Sequence, residues 1–144
     1  MSQTQSEFEK RLRARLSRAA EVRDLSFIPN SIVGTKPDGR PFKVSWEIIA
    51  EHDHGTRALV ISKFQENSGS TQEKLPYDVL KILNLMRNDK RYRKGWIVLG
   101  GSAWDLNLLK FLKNELWSWF ADSEGKVQII STEGELNSCD FTEF

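Results

Sequence analysis

Residues 95–101 read Gly-Trp-Ile-Val-Leu-Gly-Gly, seven positions without one polar side chain, and helical periodicity stands on either side of them. A strand that is apolar on both faces is stable only where both faces are covered, which is the situation of a parallel strand sandwiched by helices. The run 58–64, Ala-Leu-Val-Ile-Ser-Lys-Phe, has the same character until it ends in Ser62 and Lys63. Together these runs predict an α/β fold with a small mixed sheet flanked by helices.

The remaining elements are read from periodicity. Residues 6–22 carry Phe8, Leu12, Leu16, Ala19 and Ala20 at helical spacing, and Ser6 with Glu9 offers a capping box. A loop follows through Pro29 and Gly34 to the turn signal Pro37-Asp38-Gly39. Residues 42–50 alternate, which puts Phe42, Val44, Trp46 and Ile48 on one side and Lys43, Ser45 and Glu47 on the other. The polar segment 51–56 is hairpin-like, and its His52 and His54 lack the third ligand of a zinc site. Residues 71–88 form a helix with Leu75, Val79, Ile82, Leu83 and Met86 inward and Pro76 early, where a missing N–H is tolerated. A helix over 105–120 and a strand over 127–131 complete the order helix, strand, strand, helix, strand, helix, strand. The chain is expected to be one domain over 1–144, with the first helix at 6–22, a core at 42–131 and a loosely held acidic tail at 132–144. Trp104 is expected to be an exposed aromatic, and Trp117 and Trp119, two positions apart, cannot both point inward.

Composition narrows the class. No stretch approaches the ~18 apolar residues of a membrane span, and the first ten residues lack the pattern of a secretory signal. The single cysteine, Cys139, excludes an internal disulfide. A cytoplasmic, intracellular setting and no membrane partner are therefore expected. The formal charge is only +1, yet it is unevenly spread: six basic residues over 81–94 and six over 10–23, against seven acids and only Lys126 from Glu115 onward. Such asymmetry can focus phosphates onto one face, or it can balance out across the fold.

The strand that ends in Ser62-Lys63, the loop 65–70 and the opening of the next helix form the most informative stretch. Lys63, Gln65, Ser68-Gly69-Ser70 and Glu73-Lys74, taken together, resemble the PD-(D/E)XK nuclease superfamily. So does the element order over roughly residues 6–120. The resemblance implies a restriction-endonuclease-like core and a metal-dependent DNA endonuclease of the restriction or homing type. Mg²⁺ would be bound by Glu47 and Glu73, Lys63 would support catalysis, and Gln65 would complete the catalytic set. Double-stranded DNA would be contacted by Ser68, Ser70, Lys74, Lys81, Arg87, Lys90, Arg91 and Arg93, and by the basic first helix. A homo-oligomer or partner subunit would serve to span both strands of a duplex.

One position departs from that pattern. The superfamily's metal-binding glutamate two residues before the lysine is Ile61 here. Glu47, flanked by Trp46 and Ile48, is the best match for the first carboxylate, and Pro37-Asp38 is a structural decoy in a turn. Hydrolysis of a phosphodiester needs charge stabilisation at the phosphate and an activated water; hard cations held by carboxylates supply both, and a lysine beside them can stabilise the developing negative charge. Three readings follow: the nuclease just described, a catalytically inactive nuclease-derived DNA-binding module or partner subunit, and an assembly protein using its acidic tail and tryptophans.

Overall fold

The computed structural model describes residues 3–66, 72–115, 118 and 125–144. Helix α1 (Gln5–Arg23) begins two residues earlier than the capping pattern of Ser6 and Glu9 suggests. Thr4 is its cap: the Thr4 hydroxyl accepts from Glu7 N at 3.1 Å, and the Glu7 carboxylate accepts from Thr4 N at 3.3 Å.

The stretch read as a loop after α1 is instead a full strand, β1 (Ser26–Thr35), paired antiparallel with β2 (Pro41–Ala50). It hides in the sequence because Pro29, the left-handed Asn30 (φ +51°) and Gly34 interrupt it. At the edge of a sheet a proline is tolerated, since one row of N–H groups has no partner to lose. Pro37 and Asp38 lie in the β1–β2 turn, closed by Gly39 N donating to Lys36 O at 2.9 Å.

A single 3-10 turn (Glu51–Asp53) leads to β3 (Thr56–Phe64), which pairs antiparallel with β2. Helix α2 (Leu75–Asn88) then crosses to β4 (Tyr92–Gly100), and α3 (Leu106–Asn114) precedes β5 (Val127–Ile130) and a short α4 (Glu133–Ser138). The sheet order is β1-β2-β3-β4-β5, with β3, β4 and β5 parallel. Right-handed crossovers place successive helices on one face. Accordingly Leu75, Val79 and Ile82 of α2 and Leu109 and Leu112 of α3 share one core with Leu59, Ile61, Ile97, Leu99 and Ile129. Phe8, Leu12 and Leu16 of α1 and Leu136 of α4 cover the other face over Ala58, Val60, Trp96, Val98 and Ile130.

The alternation in β2 does not run through. Phe42 and Val44 belong to the α2 face, whereas Ile48, Ala50 and the partly buried Trp46 belong to the α1 face. The switch falls at Ser45, between the residues that pair with Pro29 and Ser31, where β1 holds the left-handed Asn30. Beyond it the odd positions face α2, and Glu47 turns inward.

Trp104 is buried rather than exposed, its Nε1 donating to Gly100 O at 2.8 Å. Leu116, Trp117, Trp119 and Phe120 lie outside the described residues. Among the described residues no helix is long and apolar enough to cross a membrane.

The acidic C-terminal segment is docked, in contrast to the loosely held tail expected. Leu136, Cys139 and Phe141 are buried, and Phe141 meets Trp96 edge-on at 5.0 Å between ring centroids. Phe141→Ala is therefore expected to cost about 3–5 kcal/mol through lost burial and the cavity left behind. Urea unfolding would measure it, and a loss below ~1 kcal/mol would show that the segment adds no core.

Candidate functional site

Lys63 stands at the carboxyl end of β3, opposite Leu99 of β4. In open parallel sheets this is the end at which ligands bind. The lysine is mostly covered, and its Nζ lies 3.2 Å from Oδ2 of Asp78, a carboxylate only 2% exposed on α2. Lys81 Nζ sits 2.8 Å from Asp78 Oδ1 and also lies over the rings of Phe42 and Tyr77. One buried anion is thus held between two cations. Asp78 is the residue that the pattern reading missed, and a signal for it exists. Leu75, Val79, Ile82, Leu85 and Met86 form the inward stripe of α2, and Asp78 is the charged residue standing within that stripe. Burying an ionised side chain there is costly unless cations meet it.

Gln65 follows β3 directly. Its side-chain Nε2 donates to Ala103 O at 2.9 Å, and its backbone N donates to Gly100 O at 3.1 Å. The Gln65 carbonyl accepts from Ala103 N at 3.2 Å. This residue braces the β4–α3 connection. Gly101 (φ +86°) makes the brace possible, because a β-carbon there would fall on the Gln65 carbonyl.

Glu47 is not at this site. It pairs with Leu59, and Lys63 lies four residues further along β3, or roughly 13 Å at strand rise. Glu47 is 4% exposed, and both of its carboxylate oxygens are engaged. Ser31 Oγ donates to Oε1 at 2.8 Å, Arg57 Nη1 donates to Oε2 at 2.8 Å, and the Tyr92 hydroxyl also donates to Oε2. Burial alone would push this carboxyl up, but the hydrogen bonds from Tyr92, Arg57 and Ser31 outweigh it and hold the pKa below the ordinary 4.5. Burial and the bond to Glu47 push the Tyr92 phenol well up.

The other sequence candidates are dispersed. Glu73 and Lys74 are exposed on the 3-10 turn (Gln72–Lys74) that leads into α2 and make no ion pair among the described residues. Ser68 and Ser70 lie outside the described residues. Lys81 joins Lys63 through Asp78, whereas Arg87, Lys90, Arg91 and Arg93 gather where α2 ends and β4 begins. That is the opposite end of the sheet, since Arg93 is six residues before Leu99 on β4, roughly 20 Å away.

A hard divalent cation requires several oxygen donors that converge with free lone pairs. At Lys63 the carboxylate present is Asp78, already held by two ammonium groups, and the metal position of the strand is Ile61, 8% exposed in the core. Glu47 is committed to Arg57, Tyr92 and Ser31. Among the described residues no three His, Cys, Asp or Glu side chains converge as a metal site. The donor set among the described residues does not fit the cation.

A five-stranded mixed sheet with helices on both faces and a lysine at the carboxyl end of β3 defines a restriction-endonuclease-like α/β core. The chain matches the model of a PD-(D/E)XK nuclease superfamily domain over residues 5–134, and it belongs to that superfamily. A search among curated proteins found no match, and a search among solved structures found none either.

Two expectations follow from this geometry. A carboxylate with a depressed folded pKa stabilises the fold above its ordinary value of 4.5 and loses that contribution as pH falls through the folded value. Glu47→Gln is therefore expected to cost about 3 kcal/mol near neutrality and to flatten the acid limb of stability below pH 4.5. Urea titrations at a series of pH values test this, and identical acid slopes in both proteins would refute it. At the other site, Lys63→Ala and Lys81→Ala should each cost about 1–2 kcal/mol, while the double variant costs more than their sum because Asp78 is left as an uncompensated buried charge. A double-mutant cycle with strictly additive terms would contradict the shared anion.

Proposed function

We propose that this domain binds double-stranded DNA without hydrolysing it, as a nuclease-derived module or partner subunit that keeps the superfamily's fold and not its metal chemistry. One observation carries the reading: the carboxylate beside Lys63 is clamped between two lysines, with an isoleucine where the strand would present its glutamate. Lysine ammonium groups seated on Asp78 occupy the charge that a cation would otherwise meet, and they hold the end of β3 to α2. Binding of the backbone would then rest on exposed lysines and arginines and carry little sequence information.

A second reading has its own support. Asp78 Oδ2 is buried and makes no hydrogen bond among the described residues, only the 3.2 Å ion pair with Lys63. A hydrolase in which this helix carboxylate replaces the one missing from β3 would use the same two residues.

The deciding assay is gel shift and cleavage of long mixed duplex DNA with Mg²⁺, with Mn²⁺ and with EDTA. The expected outcome is salt-sensitive binding and intact DNA in every condition. Discrete metal-dependent fragments that disappear in Asp78→Ala and Lys63→Ala would establish the second reading instead. Absence of binding in all conditions would sink both.

A further inference from the structure

The chain carries two basic clusters, and the fold treats them differently. On α1 the side facing the C-terminal segment is matched: Arg11 pairs with Glu133, and Arg15 Nη2 donates to Cys139 O at 2.8 Å. Between α2 and β4, Arg91 is matched by its fork on Asp89 at 2.7 Å. Arg87, Lys90 and Arg93 have no carboxylate within ion-pair distance among the described residues, and neither has Lys126 just before β5.

Three of these cations converge. Lys90, Arg93 and Lys126 surround a cavity of ≈ 250 Å³ that is also lined by Met86 and Tyr92. Each comes from a different place in the chain. Lys90 belongs to the α2–β4 turn, and Lys126 is fixed beside β4 by Gly95 N donating to its carbonyl at 2.8 Å. Arg93 is an inserted residue: Arg57 of β3 pairs with Tyr92 and the next residue, Ala58, pairs with Lys94, so Arg93 is left without a partner on β3. A bulge of this kind re-aims a side chain, and here Tyr92 and Arg93 line the same cavity. Cations also gather at helix carboxyl ends simply to oppose the dipole. That accounts for Arg87 and Lys90 but not for Arg93 and Lys126, which a β-bulge and the start of another strand supply.

We infer that this pole of the sheet is a phosphate-binding surface for the nucleic-acid backbone, separate from the Lys63–Asp78 end. The inference rests on the DNA-binding reading and places the contact. A concave site ringed by cations that have no carboxylate partner among the described residues fits a phosphodiester group. Exposed Arg87 beside it extends the charge to a neighbouring phosphate, which favours a polymer over a single nucleotide. Among the described residues that line the cavity, the one aromatic is Tyr92, buried with its hydroxyl on Glu47, and none carries a side-chain amide for reading a base.

The test compares three full-length proteins by fluorescence anisotropy with a labelled duplex over a salt series: the wild type, Lys90→Ala/Arg93→Ala/Lys126→Ala, and a control that removes equal charge at Lys36, Lys43 and Lys110. In parallel, amide shifts of the wild type are followed with inorganic pyrophosphate and with a mononucleotide. The triple variant is expected to bind roughly 10- to 100-fold more weakly, with its log–log salt slope reduced by about one per contact removed, while the control stays within about threefold of wild type. Folding of the triple variant is checked by its unfolding curve, and the single Arg93→Ala protein must show the same direction of change. Wild-type binding left intact by the triple substitution overturns the placement and leaves the DNA-binding reading standing. An equal loss in the control overturns it too, reducing the effect to net charge. Absence of duplex binding by the wild type removes the DNA-binding reading itself. Pyrophosphate or mononucleotide shifts at residues 90–95 without duplex binding would make this a small-ligand site and overturn the polymer assignment.

Discussion

The sheet depends on one buried carboxylate. Ser31 on β1, Glu47 on β2, Arg57 on β3 and Tyr92 on β4 meet through the two oxygens of Glu47, so adjacent strands are tied across their width by a single group. Burying such a charge carries a desolvation penalty, and only complete hydrogen bonding offsets it. A one-residue slip of any of these strands would turn its contributor to the opposite face and leave the carboxylate short of a donor. The cluster therefore acts as a register lock. With three donors already on its two oxygens, the Glu47 carboxylate serves the sheet first.

The two ends of the sheet have become chemically different. At the carboxyl ends of β3 and β4, the charged groups are held in ion pairs: Lys63 and Lys81 share Asp78, and Gln65 spends its amide on the β4–α3 connection. At the other end, positive charge remains exposed to solvent around a shallow cavity. Charge held in buried ion pairs ties elements of the fold together, whereas exposed charge projects a field several ångströms into the solvent.

Much of this was legible in the chain. The apolar stripes of α1 and α2 and the two-sided apolar runs of β3 and β4 identify the elements, and Lys63 with its surroundings identifies the superfamily. What escaped did so for physical reasons. β1 is an edge strand and tolerates Pro29 and Gly34, residues that elsewhere mark loops. Glu47 turned inward because the alternation of β2 changes face opposite Asn30, and strict period-two reading has no means of detecting a left-handed residue on the neighbouring strand. Asp78 was visible only as an anomaly on a helical stripe, meaningful once Lys63 and Lys81 are seen to converge on it. The docking of the C-terminal segment depends on Phe141 finding Trp96, a long-range contact that no local pattern announces.

The irregularity of β1 has a bearing on how copies of this domain meet one another. A sheet whose outer strand is long and regular invites a second chain to continue its ladder. Here the outer strand lacks an N–H at Pro29, twists through the left-handed Asn30 and changes register between Ile32 and Gly34. The opposite margin, β5, is four residues long. Both borders are poor templates for a continuous addition, so growth of the sheet from copy to copy is disfavoured on either side.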